Sequence, residues 1–144
     1  MMRSRRTMEE SRKIYWTEGY KYRLDKDFVI HVDVYPGRDI TSGLITLTKE
    51  GWLTVKKHYS WDGASGLTFD TKSSMRGALV HDALYELIRE GLLGLEWRRP
   101  ADRELWRICC EDGMLKCRAD IWYNAVRIGG LDAAAKPRRV YSAP

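Results

Sequence analysis

The sequence predicts an α+β fold, in which a small antiparallel β-sheet at about residues 14–60 is followed by three packed helices at about residues 73–130. Two periodicities support this division. Apolar and polar residues alternate in the first segment, as in half-buried strands, whereas apolar residues in the second recur three and four positions apart, as on helix faces. The chain has 144 residues, 44% of them hydrophobic, which is enough for one domain with its own core.

The first half is expected to hold three to five short strands. Apolar and polar residues alternate through the stretch that carries Ile30, Val32 and Val34. Residues 44–48 and 52–57 also have strand composition, and they flank a short segment that ends at Gly51. A hairpin is therefore predicted here, with Gly51 at a positive φ angle.

Capping and turn residues place the ends of the first two helices. Ser73 or Ser74 is expected to cap the first helix, and Gly91 is expected to end it. Pro100 suits the first turn of the second helix, and Gly113 is expected to mark its end.

A third helix is predicted between Gly113 and the pair Gly129-Gly130, where it is expected to stop. Its apolar face is predicted to consist of Cys117, Ile121, Trp122, Ala125 and Ile128. The three cysteines, Cys109, Cys110 and Cys117, match no metal-site spacing and are odd in number, so they are expected to be small, reduced, buried thiols.

The net charge of +5 is concentrated at the two ends of the chain. Residues 1–13 carry a net charge of +3 and residues 131–144 a net charge of +2, which leaves the segment between them neutral. We therefore expect a basic flexible arm at 1–13, a single globular domain at 14–130 and a basic flexible tail at 131–144. A neutral body gives no reason to expect specific nucleic-acid binding, although the ends can contact phosphate or an acidic neighbour.

Membrane insertion is not expected from this sequence. It contains no apolar run of about 18 residues, so no transmembrane helix is predicted. Its first residues lack the apolar stretch of a signal peptide, which predicts a protein that stays in the host cytoplasm or enters a virion.

The strongest candidate site is a group of polar residues on the first two helices. His81 and Tyr85 are four residues apart and share one face of the first helix, with Asp82 about 100° around it. Asp102 precedes Leu105 by three residues on the apolar face of the second helix. Packing of the two helices can bring Asp102 to one imidazole nitrogen and leave the other to activate a water. The same residues can equally form a structural network in which each satisfies the others.

A calcium site is the second candidate. Asp62 precedes a glycine-containing loop at residues 63–66, which can expose backbone carbonyl oxygens. These carbonyls, with the charge of Asp62 or Asp82, are oxygen ligands of the kind that calcium prefers. The alternative is that Asp62-Gly63 is an ordinary turn.

The order of these motifs resembles a known family. Asp62-Gly-Ala-Ser65, Arg76-Gly-Ala-Leu-Val-His81-Asp82-Ala-Leu-Tyr85, Arg99-Pro-Ala101-Asp102 and Trp122-Tyr-Asn-Ala-Val-Arg127 follow one another after the strands. This arrangement is similar to the phage and prophage family of proteins of unknown function numbered 1353, over roughly residues 14–130. Gly66 departs from the proline expected there. The resemblance implies a bacteriophage or prophage origin and no particular activity.

The helix pair has a second resemblance, to phospholipases of the A2 type, including the compact form carried in parvovirus capsids. The resemblance rests on His81-Asp82-x-x-Tyr85 and the later Ala101-Asp102. It implies that His81 is the general base, that Asp102 orients it with Tyr85 in support, and that Asp82 and Gly63 hold calcium. The chain lacks the disulfides of the secreted members and their Gly-x-Gly loop pattern.

Three functions follow as hypotheses. The first is a small phage-encoded hydrolase that cleaves an ester of a bacterial envelope lipid. The second is a non-catalytic virion component, such as a tail or tail-tip subunit, whose basic ends and exposed aromatic residues bind other virion proteins. Trp16, Trp52 and Trp61 are the candidates for that aromatic patch. The third is an accessory protein that contacts the host.

Overall fold

The computed structural model of the chain describes residues 13–17, 22–61 and 72–135, with the backbone alone at 16–17 and 131–135. The strands are β1 (Trp16–Thr17), β2 (Tyr22–Leu24), β3 (Phe28–His31), β4 (Ile40–Ser42), β5 (Ile45–Leu47), β6 (Trp52–Val55) and β7 (Ser60–Trp61). The helices are α1 (Lys72–Arg89), α2 (Arg98–Glu111) and α3 (Lys116–Ala135), with a 3₁₀ turn at Leu95–Trp97 before α2. The predicted α+β order, strands followed by three helices, is confirmed.

The strands form two antiparallel sheets, ordered β1-β2-β7 and β3-β6-β5-β4, so the prediction of one sheet with three to five strands was wrong. The two sheets continue each other across a break in the strands. β2 pairs with β7 on one side of the break, and β3 pairs with β6 on the other side. At the interruption, the Asp27 carboxylate accepts the hydrogen bond of Lys57 N at 2.7 Å, and His58 has a φ angle of +80°. The Asp27 side chain thus accepts the hydrogen bond of Lys57 N that a backbone carbonyl would accept in a continuous ladder.

The predicted hairpin is confirmed. β5 and β6 pair antiparallel, with Leu47 opposite Leu53, and Gly51 has a φ angle of +91°. A Cβ atom at Gly51 would lie 2.5 Å from the Val32 carbonyl oxygen, so the position needs glycine for its conformation and for its close contact.

The strand predicted through Val34 ends at His31. Val32 and Val34 are fully buried, as the alternation predicted, but they lie outside the strands. Val32 N donates to Gly51 O at 2.8 Å, beyond the last pair of the β3–β6 ladder. Burial therefore continues along this segment after the ladder has ended.

The predicted helix ends at Gly91 and Gly113 are confirmed, whereas the predicted serine cap of the first helix was wrong. Gly91 and Gly113 follow α1 and α2 with φ angles of +74° and +97°, and Pro100 lies in the first turn of α2. Ser73 and Ser74 lie inside α1, and Ser74 is fully buried, so neither caps the helix.

The end and the buried face of α3 were both predicted wrongly. The helix passes through Gly129 and Gly130 to Ala135. A Cβ atom at Gly130 would lie 2.6 Å from the Tyr85 hydroxyl, so this glycine serves a close contact with α1. Trp122 is buried as predicted, but Ile121 and Ile128 are 62% and 85% exposed.

The main core joins the sheets to the helices. It contains buried side chains from β2 to β7, the inner face of α1, and Ala101 and Ile108 of α2. A smaller cluster between α2 and α3 consists of Leu105, Cys109, Met114, Ala119 and Trp122. Because the main core takes up the inner face of α1 and two residues of α2, α1 lies between the sheets and α2.

The cysteines are free, but only Cys109 is buried; Cys110 is half-buried and Cys117 is exposed. The expectation of three buried thiols was therefore wrong, because Cys117 lies on the outer face of α3. In the part of the chain that the structure describes, no helix is long and apolar enough to cross a bilayer.

The basic ends fall mostly outside the described residues. Residues 1–12 and 136–144 are not among them, so the flexible arm and tail stay predictions. The backbone of residues 131–135 continues α3.

Candidate functional site

The predicted contact between His81 and Asp102 is confirmed. His81 Nε2 lies 2.6 Å from Asp102 Oδ1, which is a short hydrogen bond between α1 and α2. The Tyr85 hydroxyl donates to the same oxygen, also at 2.6 Å. The three residues that the sequence grouped are therefore in direct contact.

Local helix geometry and one glycine position the pair. His81 and Tyr85 are four residues apart on α1, so their rings lie against each other with centroids 4.1 Å apart. Gly77 lies one turn earlier on α1, where a Cβ atom would be 2.7 Å from Cys109 Sγ and 3.2 Å from the Leu105 carbonyl oxygen. The absence of a side chain at Gly77 lets α2 come close enough for Asp102 to reach the imidazole.

Asp102 is the fully buried centre of a polar group. Its side chain is 0% exposed, and Arg127 Nη1 of α3 donates to its second oxygen at 2.8 Å. Burial by itself would raise the pKa of this carboxyl, but hydrogen bonds from His81, Tyr85 and Arg127 hold it below its ordinary value. Asp102 is therefore ionised at neutral pH.

The ionised carboxylate decides which imidazole nitrogen carries hydrogen. A carboxylate only accepts hydrogen bonds, so the His81 nitrogen that faces Asp102, Nε2, must be the donor. In the neutral ring, Nδ1 then holds a lone pair. Among the described residues Nδ1 has no hydrogen-bond partner.

Tyr85 serves as a neutral donor in this group. Burial and the Asp102 charge raise the pKa of its hydroxyl well above the ordinary value, although Arg98 partly opposes this. Arg98 also donates to the carbonyl oxygens of Val126 and Arg127, at 2.8 Å and 2.6 Å. It thereby ties the start of α2 to the turn of α3 that presents Arg127.

Sequence reasoning gave Arg127 and Arg98 no role. Arg127 is 25 residues from Asp102 and lies on a helix whose buried face was predicted wrongly, so no local pattern linked them. The charge of Asp102 could have predicted such a partner, since a carboxylate on a buried face needs a cation or several hydrogen-bond donors.

Access to the group is narrow. His81 is 8% exposed and Tyr85 is 3% exposed. Three clefts are lined by described residues, and none of the three includes His81, Tyr85 or Asp102. Solvent therefore reaches the group at a small part of the His81 imidazole and at the Arg127 side chain, which is 24% exposed.

Of the three proposed calcium ligands, only Asp82 lies among the described residues. Asp82 is half-buried. Burial, followed by the charges of Asp82 and Glu86, raises the pKa of the Tyr59 hydroxyl. Asp62 and Gly63 lie outside the described residues. Among the residues described, no three histidine, cysteine, aspartate or glutamate side chains are grouped to hold a metal.

The predicted aromatic patch is not formed as expected. Trp61 is 2% exposed and belongs to the core, and Trp52 is half-buried against His31. The side chain of Trp16 lies outside what the structure describes. Tyr35, at 46% exposed, is a large aromatic residue on that side of the domain that does reach solvent.

Comparison of the chain with known protein families, with curated proteins and with solved structures finds no significant match in any of the three.

Proposed function

We propose that this chain is a small phage-encoded hydrolase, in which His81 acts as general base on a water that attacks an ester of the bacterial envelope. The single observation that carries the proposal is the orientation of His81. Its Nε2 is held by a buried, ionised Asp102 at 2.6 Å, which leaves the lone pair of Nδ1 to accept a proton.

The chemistry assigned to these residues is a single proton transfer coupled to attack. Nδ1 takes a proton from water as the water oxygen bonds to the ester carbonyl carbon. Asp102 stabilises the imidazolium that forms, and the imidazolium returns the proton to the leaving alkoxide when the C–O bond breaks. Tyr85 and Arg127 fix the carboxylate, so the imidazole keeps one orientation throughout.

A second candidate function is a non-catalytic virion component, and the burial of the polar group favours it. Asp102 accepts bonds from His81, Tyr85 and Arg127 and is closed to solvent, which is also how a structural network satisfies itself. An accessory protein that contacts the host is a third candidate that would share this interior.

Ester hydrolysis by the purified full chain distinguishes the first two candidates. The substrates are a fluorogenic short-chain ester and phosphatidylglycerol vesicles, each with and without added calcium. His81→Ala is expected to lower the rate by about 10²–10⁴-fold, the usual cost of removing a general base. Asp102→Asn is expected to lower kcat while far-UV circular dichroism stays unchanged.

The matched control is His58→Asn. His58 is exposed in the turn before β7 with a φ angle of +80°, a conformation that asparagine adopts readily, so the rate is expected to stay at the parent value. A folded parent protein that hydrolyses neither substrate, with or without calcium, contradicts the hydrolase and leaves the virion component as the better candidate.

A further inference from the structure

A cleft of about 640 Å³ lies between α2 and α3, away from the His81 group. α2 contributes Arg103 and Trp106, α3 contributes Asp120, Tyr123 and Asn124, and Asp33, just after β3, closes one side. Its volume falls in the range of small-molecule sites, about 300–1,000 Å³.

The walls of the cleft are already held in place by the protein. Trp106 Nε1 donates to Asp120 Oδ1 at 2.7 Å, a bond that links α2 to α3 and fixes the indole ring. Glu104, only 2% exposed, accepts from the Asp33 backbone N at 2.7 Å and so fixes the third side. Arg107, which also lines the cleft, is neutralised by Glu104 and Glu111.

The remaining polar groups of the cleft include both hydrogen-bond donors and hydrogen-bond acceptors. Within the described chain, Arg103, Tyr123 and Asn124 make no side-chain hydrogen bond, and they offer donors from both helices. Asp33 and Asp120 each use one carboxylate oxygen, for Tyr35 and Trp106, and each keeps the other as an acceptor. A complementary ligand must therefore accept and donate hydrogen bonds around its edge.

We propose that this cleft binds a neutral sugar ring. Each hydroxyl of a sugar both donates and accepts, which matches a cleft that offers free donors and free acceptors. The C–H face of the ring suits the negative faces of Trp106 and Tyr123. The free carboxylate oxygens disfavour an anionic ligand, and the charge of Arg103 disfavours a cationic one. The site is independent of the proposed hydrolase, since His81, Tyr85 and Asp102 do not line it.

The test follows the indole N–H resonance of Trp106 by NMR in the full chain, with Trp106→Phe used to assign it. Glucose, galactose, mannose and N-acetylglucosamine are titrated separately, with benzoate and phenylalanine as the anionic and zwitterionic comparisons. At least one neutral sugar is expected to shift this resonance saturably. No saturable shift with any of the four sugars overturns the proposal, and so does binding of benzoate or phenylalanine in their place.

Two variants and a control locate the binding. Arg103→Met removes the guanidinium donors and Asn124→Ala the amide donor, both from exposed side chains, and each is expected to weaken sugar binding by about three- to tenfold. Ile121→Ala changes a residue of α3 that is 62% exposed and outside the cleft, so the affinity is expected to stay at the parent value. Equal affinity in all three variants overturns the assignment to this cleft.

Discussion

At Asp102, side chains from three helices meet in a place closed to water. His81 and Tyr85 of α1 share one carboxylate oxygen, and Arg127 of α3 binds the other. Of these partners only Arg127 carries a permanent charge, and it acts together with the hydrogen bonds from His81 and Tyr85 to keep the buried carboxylate ionised.

Removing that charge is expected to destabilise the fold. Arg127→Ala leaves Asp102 buried with neutral donors alone, and the free energy of unfolding is expected to fall by about 3 kcal/mol. Arg103→Ala is the control, because Arg103 is exposed and makes no ion pair with a described residue; a change within about 0.5 kcal/mol is expected. Urea unfolding measures both. Similar small changes in the two variants would mean that Asp102 does not need Arg127.

The same carboxylate predicts a pH dependence. The pKa of Asp102 is lowered from its ordinary value of 3.8, so the folded state favours the ionised form. Its contribution to stability is complete above that ordinary value and is lost as the pH falls through the lower folded value. The stability difference between the parent and Asp102→Asn is therefore expected to shrink below about pH 4.

Urea unfolding from neutral pH to pH 3 measures this difference. Glu96→Gln serves as the control, since Glu96 is exposed and unpaired in the described chain, and its difference from the parent is expected to stay small throughout. A constant difference for Asp102→Asn across the range would indicate that the carboxyl is not ionised in the folded protein.

The cysteines are expected to differ sharply in reactivity. Burial raises the pKa of the Cys109 thiol to about 12, so almost none of it is thiolate at pH 8. Cys117 is exposed on α3 and is expected to react first with a thiol reagent in the folded protein. Stoichiometry with and without urea measures this, and Cys117→Ser should abolish the fast phase. Fast labelling of Cys109 before unfolding would contradict the packing of α1 on α2.

At the scale of elements, Gly77 and Gly129 both lie inside helices, but of the two only Gly77 lies against another helix. A Cβ atom at Gly77 would lie 2.7 Å from Cys109 Sγ of α2. Gly129 is exposed inside α3, and a Cβ atom there would contact nothing within 4 Å. Their different surroundings predict effects of opposite sign for the same substitution.

Gly77→Ala is expected to destabilise the protein by about 1–3 kcal/mol, because the added methyl forces the two helices apart. Gly129→Ala is expected to stabilise it by about 0.4–1 kcal/mol, because alanine loses less backbone entropy in a helix. Urea midpoints compared at equal slope measure both effects. Loss of stability in both variants would show that α3 does not run through Gly129 as a regular helix.

At the scale of the whole molecule, one core joins the sheets to the helices. Buried side chains of β2 to β7 pack with α1 in a single cluster, and Glu104 of α2 binds the backbone of Asp33 after β3. Neither half keeps a closed core by itself. The two halves are therefore expected to unfold together.

Urea unfolding followed by two probes tests whether the two halves unfold together. Far-UV circular dichroism reports mostly on the helices, and tryptophan fluorescence includes Trp61, which is buried in the sheet half. Both probes are expected to give one urea midpoint. Two separated midpoints would divide the chain into independent units and contradict a single domain.

The sequence determined the parts of this protein that depend on local chemistry. Alternation predicted the buried residues of the strands, Gly51 the hairpin, and Gly91 and Gly113 the ends of two helices. The i,i+4 spacing placed His81 beside Tyr85, and the apolar neighbours of Asp102 placed that carboxylate towards them. Each of these follows from backbone geometry over a few residues.

The tertiary structure alone decided what depends on a distant partner. α3 carries apolar residues on more than one face, so only its packing on α2 buries Trp122 and leaves Ile121 and Ile128 outside. Gly130 has the composition of a helix stop, but contact with Tyr85 makes it a packing position within a helix. Arg127 becomes the counter-ion of Asp102 because three helices converge, and no periodicity along the chain encodes a contact across 25 residues.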